Sequence, residues 1–172
     1  MPLAGQSKTV VGVDVSDHML AESAANCRKN NVENVSFVKS DDGLTRLTGN
    51  FDLIHSCLVL QHIPTKRGML LLHGLLQHLK PGGVVVIQFY YRCDAPKVIR
   101  MLVKLRYKLT ILNAIRNLLR GRPLREPAMQ LHTYDIEAVI SLLKAAGLSS
   151  LYLRLYSTPE FPSAILYAQK PR

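Results

Sequence analysis

Residues 9–14, Thr-Val-Val-Gly-Val-Asp, place a single carboxylate at the end of a short apolar run. A β-branched run of this kind predicts a buried parallel strand, and Ser16 directly after it predicts the cap of an amphipathic helix. An acidic residue at the carboxyl end of such a strand lies at the crevice where α/β sheets bind ligands. We therefore expect Asp14 to accept hydrogen bonds from a ribose diol, whereas an isolated strand-end aspartate would more simply serve as a turn or cap.

Strands and helices alternate along the rest of the chain. The pattern predicts helices over about 16–30, after Pro64 and after Thr133, and strands near 35–38, 51–58, 84–89, 149–157 and 163–169. Lys80-Pro81-Gly82-Gly83 is expected to stop the second helix, and the last two strands are expected to pair antiparallel. Such alternation predicts a parallel sheet of βαβ units in one domain, residues 1–172.

Composition narrows the class of protein. No apolar run reaches the about 18 residues that a membrane-spanning helix needs, and the N-terminus lacks the charged and apolar regions of a signal peptide. Cys27, Cys57 and Cys93 are widely spaced and show no metal-binding or redox pairing. These features indicate a cytoplasmic protein with reduced thiols.

Positive charge is concentrated in residues 92–126. This segment holds ten basic and two acidic side chains, a net charge of +8 out of +10 for the whole chain. Its apolar residues follow helical spacing, which predicts one or two amphipathic helices. A basic face of this kind suits an anionic substrate, an acidic membrane surface or a partner protein, and a simply solvated face is the plain alternative.

Five short motifs in order resemble the class I S-adenosylmethionine-dependent methyltransferases of the small-molecule type. They are the strand ending at Asp14, the Lys-Ser-Asp-Asp-Gly of residues 39–43, Phe51-Asp52 leading to His62-Ile63-Pro64, Leu-Lys-Pro-Gly-Gly at 79–83, and the terminal strand pair at 149–169. The resemblance implies a Rossmann-like, mostly parallel sheet with a C-terminal antiparallel hairpin and S-adenosylmethionine as cofactor. It also implies that the basic segment, about 92–128, is a helical lid inserted over the substrate.

One element of that family pattern is absent from the sequence. The glycine-rich loop and the first strand would precede the strand ending at Asp14, yet only thirteen residues stand before it. In the family this strand is central, so its loss predicts two sheet edges with unpaired backbone groups. We expect a domain truncated at its N-terminus, a fragment or a degenerate relative, whose catalytic competence is reduced by the missing loop.

The resemblance also implies roles for particular residues. Asp14 would hold the ribose, Asp41 the adenine amine, and His62, in the loop after the fourth family strand, would act as the base if the acceptor needs one. Core packing is the alternative for Met19 and Leu58, and for the acceptor-side residues. For His62 the alternative is a helix-entry residue beside Pro64. His55, within a predicted strand, is expected to be a satisfied core residue. No metal site is predicted, because the sequence shows one acidic pair without a further ligand in a recognisable position. The residues expected to bind the cofactor are Asp14, Val15, Met19, Asp41, Asp42, Ser56 and Leu58. The expected catalytic residue is His62. The residues expected to contact the acceptor are Tyr90, Tyr91, His132 and Tyr134.

Three functions compete on these observations. The first is methyl transfer to a small-molecule or lipid-like acceptor. The second is nucleic-acid methylation, which the basic segment favours, although Ser56-Cys57-Leu58-Val59-Leu60-Gln61-His62 lacks the Pro-Pro-aromatic signature of enzymes that methylate base amines and Tyr107 alone interrupts the basic run. The third is a non-catalytic domain that binds a partner. A dehydrogenase with the related dinucleotide fold is more remote.

Overall fold

The computed structural model describes residues 2–41, 43–108, 111, 114, 118, 121 and 131–172, except the side chains of 97, 104 and 106–108. In chain order the strands are β1 (Val10–Asp14), β2 (Val35–Lys39), β3 (Phe51–Ser56), β4 (Leu79–Tyr90), β5 (Ser150–Tyr156) and β6 (Ser163–Gln169). The helices are α1 (Asp17–Lys29), α2 (Thr65–Gln77), α3 (Lys97–Lys108) and α4 (Ile136–Ala145), with short 3₁₀ turns at Ala4–Gln6 and Leu60–His62.

The strands form two sheets. β1 and β2 pair in parallel, with Asp14 opposite Lys39. The second sheet has the order β3-β4-β6-β5, in which β3 and β4 are parallel while β6 is antiparallel to both β4 and β5. The α/β class and the terminal antiparallel pair are therefore confirmed.

Each sheet ends in two edge strands among the described residues, and β1 and β3 are two of the four. β1 pairs with β2 alone and β3 pairs with β4 alone. Val13 on β1 and Leu53 on β3 are exposed by 37% and 41%. A sheet edge of this kind presents unpaired N–H and C=O groups to solvent or to another strand.

His55 departs from its expected burial. We expected a satisfied core residue, but its side chain is exposed. Successive side chains of a strand point to opposite faces, and the neighbouring Ile54 takes the core face of β3. His55 and Leu53 therefore share the other face, which is open.

The main core is built around β4 and β6. Alternate side chains of β4, Val85, Ile87 and Phe89, are fully buried, and Ala164 and Leu166 of β6 are buried beside them. α2 and α4 cover this face with leucine and valine side chains at helical spacing, namely Leu72, Leu76, Val139 and Leu143. Every fully enclosed member of this core comes from residue 54 or later, so β1, α1 and β2 contribute little to it.

β4 begins earlier than the sequence pattern indicated. We expected Lys80-Pro81-Gly82-Gly83 to separate a helix from a strand starting at Val84. Instead, α2 ends at Gln77 and Leu79 already pairs with Phe51, after which the register shifts so that Leu53 pairs with Val84. Gly82, at φ +76°, permits the irregularity.

α3 confirms that the basic segment begins with an amphipathic helix. Most of residues 109–130 lie outside the described part of the chain, so the second predicted helix and the extent of the lid, about 92–128, remain predictions.

Gly68 in α2 supplies the space that Tyr134 occupies. A Cβ atom at this position would lie 1.9 Å from the Tyr134 hydroxyl oxygen and 2.8 Å from the ring carbon that bears it. Both residues are buried, so neither can move aside easily.

We expect Gly68→Ala to lower the free energy of unfolding by about 1–3 kcal/mol, because the gain in helix propensity is outweighed by overpacking. Urea denaturation measures the change. Gly74→Ala in the same helix is the matched control, because its Cβ would meet only the flexible end of Leu44 at 3.2 Å. Equal effects of the two variants would contradict the packing argument.

Candidate functional site

Asp14 is held at the carboxyl end of β1 by its neighbours. One carboxylate oxygen, Oδ1, accepts a hydrogen bond of 2.8 Å from the Ser16 amide, and the Asp14 carbonyl accepts one of 2.8 Å from the Ser40 amide. The Ser16 hydroxyl oxygen accepts from the Met19 amide and so caps α1, as predicted. The second carboxylate oxygen of Asp14 has no donor among the described residues and is the atom available to a ligand.

Asp41 is engaged in its own loop. One oxygen accepts from the Gly43 amide at 3.1 Å and the Thr45 amide at 2.9 Å, and the other accepts from the Thr45 hydroxyl. These bonds, the Thr45 hydroxyl first, lower the pKa of Asp41 below its ordinary value. Three of its about four lone pairs are used, which leaves little capacity for an adenine amine. Asp42 lies outside the described residues.

Apolar side chains are exposed just beyond the ends of β1 and β3. Val15 is 61% exposed, Met19 48% and Leu58 57%, and Val59 is similarly open. Core packing was the alternative for Met19 and Leu58, and their exposure excludes it. Leu58 adopts a φ of +59°, a left-handed conformation that is uncommon outside glycine. Val15 and Met19 follow the end of β1 that carries Asp14, and Leu58 and Val59 follow the end of β3 that carries the half-buried Ser56.

Two buried polar atoms without partners lie in neighbouring segments. Gln61 is only 2% exposed, and its Oε1 atom has no hydrogen-bond partner in the described structure. The Nε2 atom of His132 is likewise buried and unpaired, and the His132 amide donates to the Gln61 carbonyl at 2.8 Å. Buried polar atoms are normally hydrogen-bonded, so unpaired ones mark a place for a ligand or water.

Gln61 was missed by the sequence reasoning. It stands beside His62 in a loop, and a glutamine there is indistinguishable from a solvated residue until its burial is known. His62 itself is exposed at the end of the 3₁₀ turn.

Tyr90 is the last residue of β4 and Tyr91 follows it, and both are half-buried. The Tyr90 ring stacks on Phe161, with ring centroids 5.2 Å apart, and the Arg92 guanidinium lies 5.8 Å from the centre of the Tyr91 ring. Packing was the alternative to an acceptor role for both tyrosines, and these contacts agree with it.

Tyr134 does not line a pocket. Its side chain is 1% exposed, and its hydroxyl lies 3.0 Å from the Leu60 carbonyl and 2.8 Å from the Ile63 carbonyl, donating its single proton to this pair. Its amide donates to the Tyr90 carbonyl at 2.7 Å. Tyr134 is therefore a positioning residue that fixes the loop carrying Gln61 and His62 against the end of β4. Burial raises the pKa of Tyr134 to about 12.

Neither a metal cluster nor a membrane-spanning helix is found in the described ranges. No three His, Cys, Asp or Glu side chains there come together as metal ligands, and no helix there is long and apolar enough to cross a bilayer.

Comparison with known proteins finds similarity to methyltransferases. Residues 1–83 match a family described as a methyltransferase domain. Trans-aconitate 2-methyltransferase of Deinococcus radiodurans is 39% identical over 80 residues, covering 46% of this chain and 28% of that protein. The 23S rRNA (uracil(1939)-C(5))-methyltransferase of Photobacterium angustum is 32% identical over 117 residues. The match covers 63% of this chain and 49% of that protein.

The fold agrees over almost the whole chain. Magnesium protoporphyrin IX methyltransferase from Synechocystis, solved with bound S-adenosylhomocysteine, superposes with a TM-score of 0.67 at 20% identity, covering 98% of this chain and 67% of that one. Residues 1–83 are thus similar to methyltransferase domains, and the fold as a whole is the Rossmann-like fold of S-adenosylmethionine-dependent methyltransferases. The chain spans about a quarter and about half of the two curated relatives.

Tyr134→Phe removes the hydroxyl that satisfies two loop carbonyls. We expect the free energy of unfolding to fall by about 1–3 kcal/mol, because the buried Leu60 carbonyl loses its donor. Chemical denaturation measures this. Tyr152→Phe, at a tyrosine that is 62% exposed, is the control and should change nothing.

The same hydroxyl predicts an alkaline limit to stability. The pKa of Tyr134 is raised from 10.0 to about 12 in the fold. The neutral form is favoured when folded, so this contribution is complete below pH 10 and is lost as the pH rises towards 12. The loss of stability over this range should be smaller in Tyr134→Phe than in the parent chain. Identical pH profiles would contradict the assignment.

Proposed function

We propose that the chain binds S-adenosylmethionine at the carboxyl ends of β1 and β3 and takes part in methyl transfer to a small-molecule or lipid-like acceptor. The observation that carries this proposal is the placement of Asp14. Its carboxylate is fixed by one oxygen and open at the other, beside exposed apolar side chains.

The described residues fit the nucleoside part of the cofactor. The free oxygen of Asp14 can accept from a ribose hydroxyl, and Val15, Met19 and Leu58 offer an apolar surface to a flat ring. Asp41 fits less well as an adenine ligand, because Thr45 and Gly43 already occupy most of its carboxylate. We assign Asp41 chiefly to ordering the loop that follows β2. Ser56 remains a candidate, and the role of Asp42, which lies outside the described residues, stays a prediction.

The acceptor end of the proposed site lies in the loop after β3. S-adenosylmethionine supplies an activated methyl group, so the protein needs mainly to align the acceptor and exclude water. His62, exposed at the end of the 3₁₀ turn, can accept a proton from a hydroxyl or ammonium acceptor. Gln61 and His132 carry buried polar atoms without partners next to this loop, and they are further candidates for contact with a polar acceptor.

Nucleic-acid methylation is the second candidate. The similarity to an rRNA methyltransferase and the net charge of +8 over 92–126 favour it. The relative named for trans-aconitate has the higher identity, which favours a small-molecule acceptor. A domain that binds the cofactor or a partner without catalysis is the third.

Calorimetric titration with S-adenosylhomocysteine tests the cofactor site. We expect Asp14→Asn to weaken binding by about 10- to 100-fold, because an amide replaces a charged hydrogen-bond acceptor.

Asp52→Asn is the matched control, since Asp52 makes an exposed ion pair with Lys80 on β3 and β4. It should bind as the parent chain does. No binding by a folded parent chain, or equal loss in both variants, would overturn the proposed cofactor site.

Transfer of a radiolabelled methyl group distinguishes the acceptor classes. The chain is incubated with labelled S-adenosylmethionine and either a low-molecular-mass metabolite fraction or total RNA. We expect label in the metabolite fraction, and a rate lowered about 100-fold or more in His62→Gln if His62 is the base.

His73→Gln, an exposed histidine on α2, is the control. S-adenosylhomocysteine affinity should be unchanged in both histidine variants. Label in RNA alone would support the second candidate, and cofactor binding without any transfer would support the third.

A further inference from the structure

α3 presents an uncovered apolar face. Val98, Met101, Leu102 and Leu105 recur at the spacing that places side chains on one side of a helix. They are 63%, 64%, 56% and 44% exposed. In contrast, α2 and α4 each bury leucine or valine side chains in the core. Contiguous exposed apolar surface on a folded domain marks an interaction site.

The sequence of α3 is rich in basic residues beside that face. α3 contains Lys97, Arg100, Lys104, Arg106 and Lys108, and no acidic residue occurs between Asp94 and Glu126. At about 100° per residue, positions 97, 104 and 108 fall along one border of the apolar face, and position 106 falls between Leu102 and Ile99, which is 47% exposed. The helix therefore combines a broad apolar stripe with a basic border, the pattern of helices that lie in the plane of a membrane surface.

We propose that α3 docks this face on an anionic lipid surface. The apolar side chains would enter the acyl boundary while the basic positions meet lipid phosphates and carboxylates. Nucleic acid is a poorer match, because phosphate contacts leave the four apolar side chains uncovered and the helix has only one aromatic residue, Tyr107, for base stacking. A protein partner would need both an apolar groove and an acidic rim around it. Any anionic bilayer already combines an apolar interior with a negatively charged surface.

The position of α3 gives this docking a consequence. The helix follows β4 after a short connection, in which the Asp94 amide donates to the Glu160 carbonyl at 2.8 Å. Docking would hold the carboxyl end of β4 near the membrane. If the proposed methyl transfer holds, this would bring the acceptor end of the site close to lipid-like acceptors. The docking itself does not depend on activity.

Co-sedimentation with vesicles tests the proposal. The probes are vesicles of phosphatidylcholine alone and vesicles with about 30% phosphatidylserine. We expect binding to the anionic vesicles, weakened at least about fivefold in roughly 0.5 M salt, and little binding to the neutral ones. Leu102→Glu should reduce binding by about tenfold or more, because a charge is placed in the apolar face.

Leu70→Glu is the matched control, since Leu70 on α2 is exposed by 71% but lies outside the proposed surface. It should bind vesicles as the parent chain does. Replacing Lys104 and Lys108 with Gln should lower binding to anionic vesicles by about fivefold per lysine. Thermal unfolding should be the same in Leu102→Glu and the parent chain, because Leu102 is exposed.

Four outcomes would overturn the proposal. They are no binding to anionic vesicles by the folded chain, equal binding to neutral vesicles, equal loss in the Leu70 and Leu102 variants, and a Leu102-dependent self-association in sedimentation velocity without vesicle binding. The last would assign the face to a second copy of the chain. Salt-sensitive retention of tRNA without vesicle binding would assign it to nucleic acid.

Discussion

The loop that carries Gln61 and His62, which we propose to face the acceptor, depends on the buried hydroxyl of Tyr134. That hydroxyl lies between the Leu60 and Ile63 carbonyls, while the Tyr134 amide bonds to the Tyr90 carbonyl. Its ring meets Phe89 edge-on, with centroids 6.2 Å apart, and passes the side-chain-free Gly68. One residue thus joins the end of β4, the loop after β3 and the start of α2. The same contacts bring His132 beside Gln61.

The two ends of the proposed site differ in how firmly they are built. The acceptor end lies against the core around β4, β6, α2 and α4. The nucleoside end belongs to β1, α1 and β2, which bury few large side chains and form a sheet of only two strands. Two strands alone are marginal in water, and regions with few buried contacts open most easily. A ligand held by Asp14 would therefore stabilise the less rigid half of the chain.

Most of the net positive charge lies in residues 92–126, apart from the proposed cofactor site. Outside residues 92–126 the chain is nearly balanced, with a net charge of +2. The proposed cofactor end therefore relies on individual hydrogen bonds rather than on a strong local field, whereas α3 combines its charge with an uncovered apolar stripe. These are different kinds of recognition, and they occupy different elements of the fold.

The sequence by itself determined the elements and their order. The β-branched runs, the Ser16 cap and the glycine and proline stops predicted most strands and helices, because hydrophobic period and capping are local properties. The family motifs placed Asp14 at a strand end, where the structure confirms it. Only the tertiary structure decided which polar atoms, such as those of Gln61, are buried without partners. Such burial depends on contacts between distant parts of the chain, and the Tyr134 hydroxyl bonds join residues more than 70 positions apart. It also decided that His55, Met19 and Leu58 are exposed, because exposure depends on which face of a strand or helix finds a neighbour.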